Sequence, residues 1–161
     1  MILGFSTFTW VHVLISLIGI VSGIVVLKGM LLSNRLDGWT AVFVLTTALT
    51  SITGFGFPFD RLLPSHVVGI ISLVVLLVTT LARYAFRMRG AWRGLYVTTA
   101  IGALWLNVFV LVAQIFNKVP ALHAIAPTQS EPPFLIAQTI VLIAFVVLAV
   151  AAVRRFHPQA A

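Results

Sequence analysis

The chain runs from its start to Leu27 without one charged side chain. About 20 apolar residues cross the ~30 Å hydrocarbon core of a bilayer as a helix. A run of that length is too long for a signal-peptide core, and it lacks the basic flank such a signal carries. It therefore reads as a membrane span. Four more apolar stretches follow, separated by charge and proline, giving spans of about 7–31, 39–57, 63–85, 93–117 and 134–154. Backbone polar groups cannot be left open to lipid, so each span is expected to be a helix. The expected fold is all-α, an integral membrane helical bundle of five transmembrane helices in one domain over 1–161. Composition agrees: 61% of residues are hydrophobic and 8% charged, against about 45–50% and 25% in soluble domains.

Ten Lys and Arg face three Asp and Glu, a formal charge of +7. In a soluble chain that would point to nucleic acid. In a membrane chain it marks the cytoplasmic loops. Placing the N-terminus outside puts Lys28, Arg35, Arg83, Arg87, Arg89, Arg93, Arg154 and Arg155 inside, and only Arg61 and Lys118 outside. The expected topology is N-out/C-in, in a bacterial inner membrane, with no nucleic-acid partner. The chain has no cysteine, which excludes disulfides, thiolate-held clusters, covalently attached haem and thiol catalysis. No hydrolytic triad, carboxylate pair or nucleotide motif is present.

The first four spans have the outline of two related hairpins. Trp10-Val11-His12 leads through a basic turn to Asp37-Gly38-Trp39, and Ser65-His66-Val67 leads through another to Gly90-Ala91-Trp92. Both start on the same side, so the repeat would be parallel, with its axis along the membrane normal.

The few polar residues within the spans carry the functional information. His12, Ser16, Gly19 and Gly23 share one helix face, and small residues at this spacing let membrane helices pack closely. His66, Gly69 and Ser72 form a similar face. Thr40, Thr47, Thr50, Ser51 and Gly54 make a small stripe whose hydroxyls are expected to bond back to their own helix. Tyr96, Ala100, Ala103, Asn107, Leu111 and Gln114 line one face of the fourth span, where Asn107 is expected to tie helices together. Gly54-Phe55-Gly56-Phe57-Pro58-Phe59 reads as a helix end with an interfacial aromatic belt.

Depth groups these residues. Counted outward from the basic loops, His12 and His66 both fall about one turn inside the outer surface, with Gln138 in the same layer. His123, Glu131 and Asp60 belong to the outer loops above it. Ionisable residues in a membrane are functional candidates by default. Interfacial or packing roles are the plain alternative. Two histidines at equal depth, with Ser16 and Gly69 leaving room, meet the needs of bis-imidazole haem b. This arrangement resembles the b-type four-helix membrane cytochromes of the cytochrome b561 kind. The resemblance implies a haem b or related redox cofactor held by His12 and His66 beside Gly69 and Gln138. It also implies electron exchange with a quinone or a periplasmic redox partner. Members of that group usually carry more histidines, deep in the spans, so one outward haem is the most this chain would hold.

Three other readings stand beside it. His12, His66 and His123, with Asp60 or Glu131, offer ligands for a divalent metal such as zinc or copper. Transport is disfavoured for a monomer, because the midplane holds only Asn107 and hydroxyls. A non-catalytic structural or accessory subunit, in a homo-oligomer or larger membrane complex, suits the small size and the lack of a catalytic set. The loop Ala126–Pro133 is expected to lack regular structure, and either caps the outer end or merely connects. From Asn117-Lys118-Val119-Pro120-Ala121-Leu122 to Ser130-Glu131-Pro132-Pro133-Phe134, the chain resembles small uncharacterised bacterial multi-pass inner-membrane proteins. That resemblance implies no activity.

Overall fold

A computed structural model describes residues 7–56 and 64–158, and all its regular elements are helices. They are α1 (Thr7–Leu31), α2 (Asp37–Gly54), α3 (Pro64–Thr80), α4 (Ala91–Lys118), α5 (Pro120–Ile125) and α6 (Pro132–Arg155). A π-helical turn, Leu81–Ala85, extends α3. Among the described residues, four helices are long and apolar enough to span a membrane: Thr7–Leu31, His66–Ala85, Ala91–Lys118 and Pro132–Arg155. The fifth expected span corresponds to α2. It has only 18 residues, begins at Asp37 and contains six Ser or Thr residues, so it is less apolar than the others. The expected span boundaries at 57 and 63 lie outside the described residues, as do Asp60 and Arg61.

Local chemistry explains where the helices stop. Just past the end of α1, Ser33 turns the chain with a φ of +57°, while the Asn34 amide donates back to the Gly29 carbonyl at 2.8 Å. A Cβ on Gly29 would lie 2.7 Å from Leu36, so the tight return needs glycine there. The π turn is followed by Arg87, Met88 and Gly90, all with positive φ. The Met88 amide donates to the Ala82 carbonyl at 2.9 Å, which closes the turn. Proline opens both α5 and α6, where its missing N–H costs nothing. The outer connection is thus partly helical: α5 occupies 120–125, and Ala126 is buried in a cluster with Phe116 and Phe134.

The helices α1, α2, α3 and α4 pack in a ring, α4 closing against α1, and α6 lies against α4 and α1. α1 and α2 are antiparallel along their length. Gly29 meets Leu36, Gly23 meets Phe43, Gly19 meets Thr46 and Thr47, and His12 meets Thr53. A Cβ on Gly23 would lie 2.6 Å from Leu104 and 2.9 Å from Phe43, so this residue sets how closely three helices converge. The main core is Val26, Met30, Phe43, Tyr96, Val97, Leu104 and Phe156. Buried among the helices are hydroxyls (Ser22, Thr40, Thr47, Ser72, Thr79), while Leu14, Ile18, Val74, Leu77, Ile140 and Val147 face outward. That inversion is expected where lipid surrounds the bundle.

The bundle has two chemically different ends. At one, Asp37 pairs with Arg83, Arg93 holds the end of α6, and the His157 amide donates to Ser33 Oγ at 2.9 Å. At the other lie His12, Phe55, His66 and the Gln129-to-Ala113 carbonyl bond of 2.8 Å. α1 starts at the histidine end and α6 finishes at the basic end.

Candidate functional site

The histidine layer is built around the end of α2. His12 reaches from α1 to place Nδ1 2.8 Å from Thr53 Oγ1. The Thr53 hydroxyl donates its proton to the Leu49 carbonyl at 2.7 Å, so Nδ1–H is the donor and the imidazole lone pair falls on Nε2. Ser16 Oγ donates to the His12 carbonyl at 2.7 Å, so that serine is spent on its own helix. His66 is buried, 2% exposed, and stacks on Phe55 with ring centres 5.5 Å apart and planes 22° from parallel. A Cβ on Gly69 would lie 3.3 Å from the same Phe55 ring, so phenylalanine occupies the space that the glycine opens. Both histidines thus lean on α2, one on Thr53 and the other on Phe55.

The other expected members of the layer have separate partners. Gln138 is buried on α6 and donates Nε2 to the Phe109 carbonyl of α4 at 3.0 Å, leaving its Oε1 without a partner. His123 is exposed on α5. Glu131 accepts from the Thr128 amide and hydroxyl and from the Ser130 amide. Slight desolvation pushes its carboxyl up, but these bonds outweigh it and hold it below the ordinary range. Among the described residues, no three His, Asp or Glu side chains converge as a metal site would require. Asn107 does tie helices together, donating Nδ2 to Thr47 Oγ1 at 2.9 Å.

The most unusual polar side chain lies at the opposite end and was not among the residues expected. Arg83, on the π turn, has a side chain 1% exposed. Nη2 donates to Asp37, whose side chain is 64% exposed and also accepts from Arg35 at 2.9 Å. The guanidinium carbon lies 5.0 Å from the Tyr96 ring centre and 5.6 Å from that of Tyr84. Tyr96 lies 3.4 Å from Thr40 Oγ1 through its hydroxyl. Nε has no partner. One buried cation thus joins the starts of α2 and α4 to the end of α3. π turns recur at functional positions. The signal was present in sequence, since the expected third span of 63–85 includes Arg83, but grouping it with the basic loop hid it.

Slight burial pushes the Asp37 carboxyl up, but the Arg35 hydrogen bond and the charges of Arg83 and Arg35 outweigh this and hold it below its ordinary value. Arg93 donates to the carbonyls of Val153, at 3.2 Å, and Phe156, fixing the end of α6 against α4. These contacts cross-link the basic end of the bundle. No known protein family, characterised protein or solved structure gives a match to this chain.

Proposed function

We propose that this chain is a five-helix protein of the bacterial inner membrane, N-out/C-in, serving as a non-catalytic structural or accessory subunit of a membrane complex. The observation that carries the role is how interior polarity is used. His12, Asn107, Thr79 and Gln138 each bond to a neighbouring helix, and Phe55 fills the room beside Gly69. Such groups hold helices together; among the described residues, no set of them converges on a substrate-sized space. Five crossings are supported by α2, which pairs with α1 from the basic end to the histidine layer. The sixteen helical steps from Asp37 to Thr53 cover about 24 Å at 1.5 Å each. The excess of arginine at the other end favours placing that end in the cytoplasm.

A second reading is favoured by one observation. The Thr53 bond orients His12 with its lone pair on Nε2, as an outer partner does for a metal-ligating histidine. On that reading His12 and His66 hold haem b or a divalent metal near the periplasmic face, and electrons pass to a quinone or a periplasmic partner. The test is an absorption spectrum of detergent-purified protein, oxidised and then dithionite-reduced, after expression with ample haem. The accessory role predicts no Soret band, no bound metal, and recovery with other membrane subunits from native membranes. A Soret band lost in both His12→Ala and His66→Ala would replace it with the cytochrome reading.

A further inference from the structure

A groove of about 560 Å³ runs along the outside of the bundle at its basic end, lined by Ala91, Trp92, Gly94, Leu95, Thr98 and Val153. Its floor is α4 and one wall is the end of α6, which Arg93 holds in place. Gly94, Thr98 and Gly102 recur every four residues and so share a face. A Cβ on Gly94 or Gly102 would meet nothing within 4 Å, so this face is open. Arginines flank the groove in sequence: Arg87 and Arg89 lie in the turn before α4, and Arg154 and Arg155 follow its lining residue Val153. All four are exposed and enter no ion pair among the described residues. The one described acid at this end, Asp37, is committed to Arg35 and Arg83.

We infer that this groove binds an anionic phospholipid, with an acyl chain along Leu95, Thr98 and Gly102 and the phosphate among Arg89, Arg154 and their neighbours. Charge decides the occupant. A second copy in the same membrane orientation would bring another set of unpaired arginines to the same mouth, with no acid to meet them. An anionic lipid supplies the missing charge and matches the apolar floor at once. The inference rests on the basic end lying at a membrane surface; it is independent of whether the histidines hold a cofactor.

The test uses the full chain in nanodiscs of equal phosphatidylglycerol and phosphatidylcholine, extracted gently and weighed by native mass spectrometry with its retained lipids. Phosphatidylglycerol is expected to be enriched over phosphatidylcholine. Arg89→Gln and Arg154→Gln should each lower that enrichment by roughly fivefold. Gly94→Leu, whose Cβ would meet nothing within 4 Å, should reduce retained lipid without lowering the thermal unfolding temperature. Equal retention of the two lipids, or wild-type retention in Gly94→Leu, would overturn the proposal. So would efficient crosslinking between copies at Thr98→Cys, a clean probe in a chain without cysteine, because it would place a second copy in the groove.

Discussion

At the scale of single residues, the ion pair of Arg83 and Asp37 is the most consequential contact. The arginine is enclosed while the aspartate is largely in water, so the two are not equivalent to mutation. Asp37→Asn leaves a buried cation without its counter-charge and is expected to cost about 1–2 kcal/mol, discounted for Asp37's exposure. Replacing both residues with Arg83→Met and Asp37→Asn should recover much of that loss, because the stranded charge goes too. A double-mutant cycle of thermal unfolding in detergent checks both. The same pair sets a pH dependence. Asp37 titrates below its ordinary value in the folded state, so its stabilisation is complete above about pH 4 and is lost as pH falls through the folded value. Unfolding temperatures of the wild type should therefore decline below about pH 4 more steeply than those of Asp37→Asn. By contrast, Asn107→Ala removes one interhelical bond and should cost only about 0.6 kcal/mol, the average for such bonds in membranes.

At the scale of helices, close approach and open space predict opposite outcomes for the same substitution on different elements. Gly23 sits where α1, α2 and α4 converge, with Leu104 and Phe43 already inside contact distance of any Cβ. Gly23→Ala should destabilise the bundle by about 1–3 kcal/mol through overpacking. Gly102 lies on the open face of α4, so Gly102→Ala should be neutral or stabilise by up to about 1 kcal/mol through helix propensity. Thermal unfolding of the two variants side by side separates these effects. Of the hydroxyls in the α2 stripe, Thr40 and Ser51 donate to a carbonyl one turn back as expected, whereas Thr50 Oγ1 is buried without a partner; Thr46 and Thr53, outside the stripe, also donate one turn back. Thr47 and Thr53 also receive bonds from other helices. The stripe lowers the apolarity of α2, which explains why this helix alone among the ring of four is marginal as a span.

At the scale of the whole molecule, the chain enters at the histidine end and leaves at the basic end. If α2 crosses with the rest, the two termini lie on opposite sides of the membrane. A reporter active only in the cytoplasm should then give signal when fused after Ala161 and none when fused before Met1. Cytoplasmic signal at both positions would leave four crossings.

Much of this was legible in the sequence because it follows from local arithmetic. Apolar run length fixed where helices could cross, and arginine placement marked one end of the bundle. Helical period put His12, Gly19 and Gly23 on one face. The proline-rich stretch has no regular structure over 126–131, as expected, but the short α5 just before it was not read, because six residues carry too little periodicity to announce a helix. Arg83 was missed for a different reason: whether a cation at the edge of a span faces water or the core depends on Tyr96 and Asp37, which arrive from other helices. Phe55 beside Gly69 is the same kind of fact, since a glycine in sequence announces space but not its occupant. Sequence thus determined which long segments are helices and which end carries the charge, because these depend on the solvent each segment must match. Tertiary structure alone decided which polar groups meet and which spaces are filled, because those depend on side chains brought together from helices far apart in the chain.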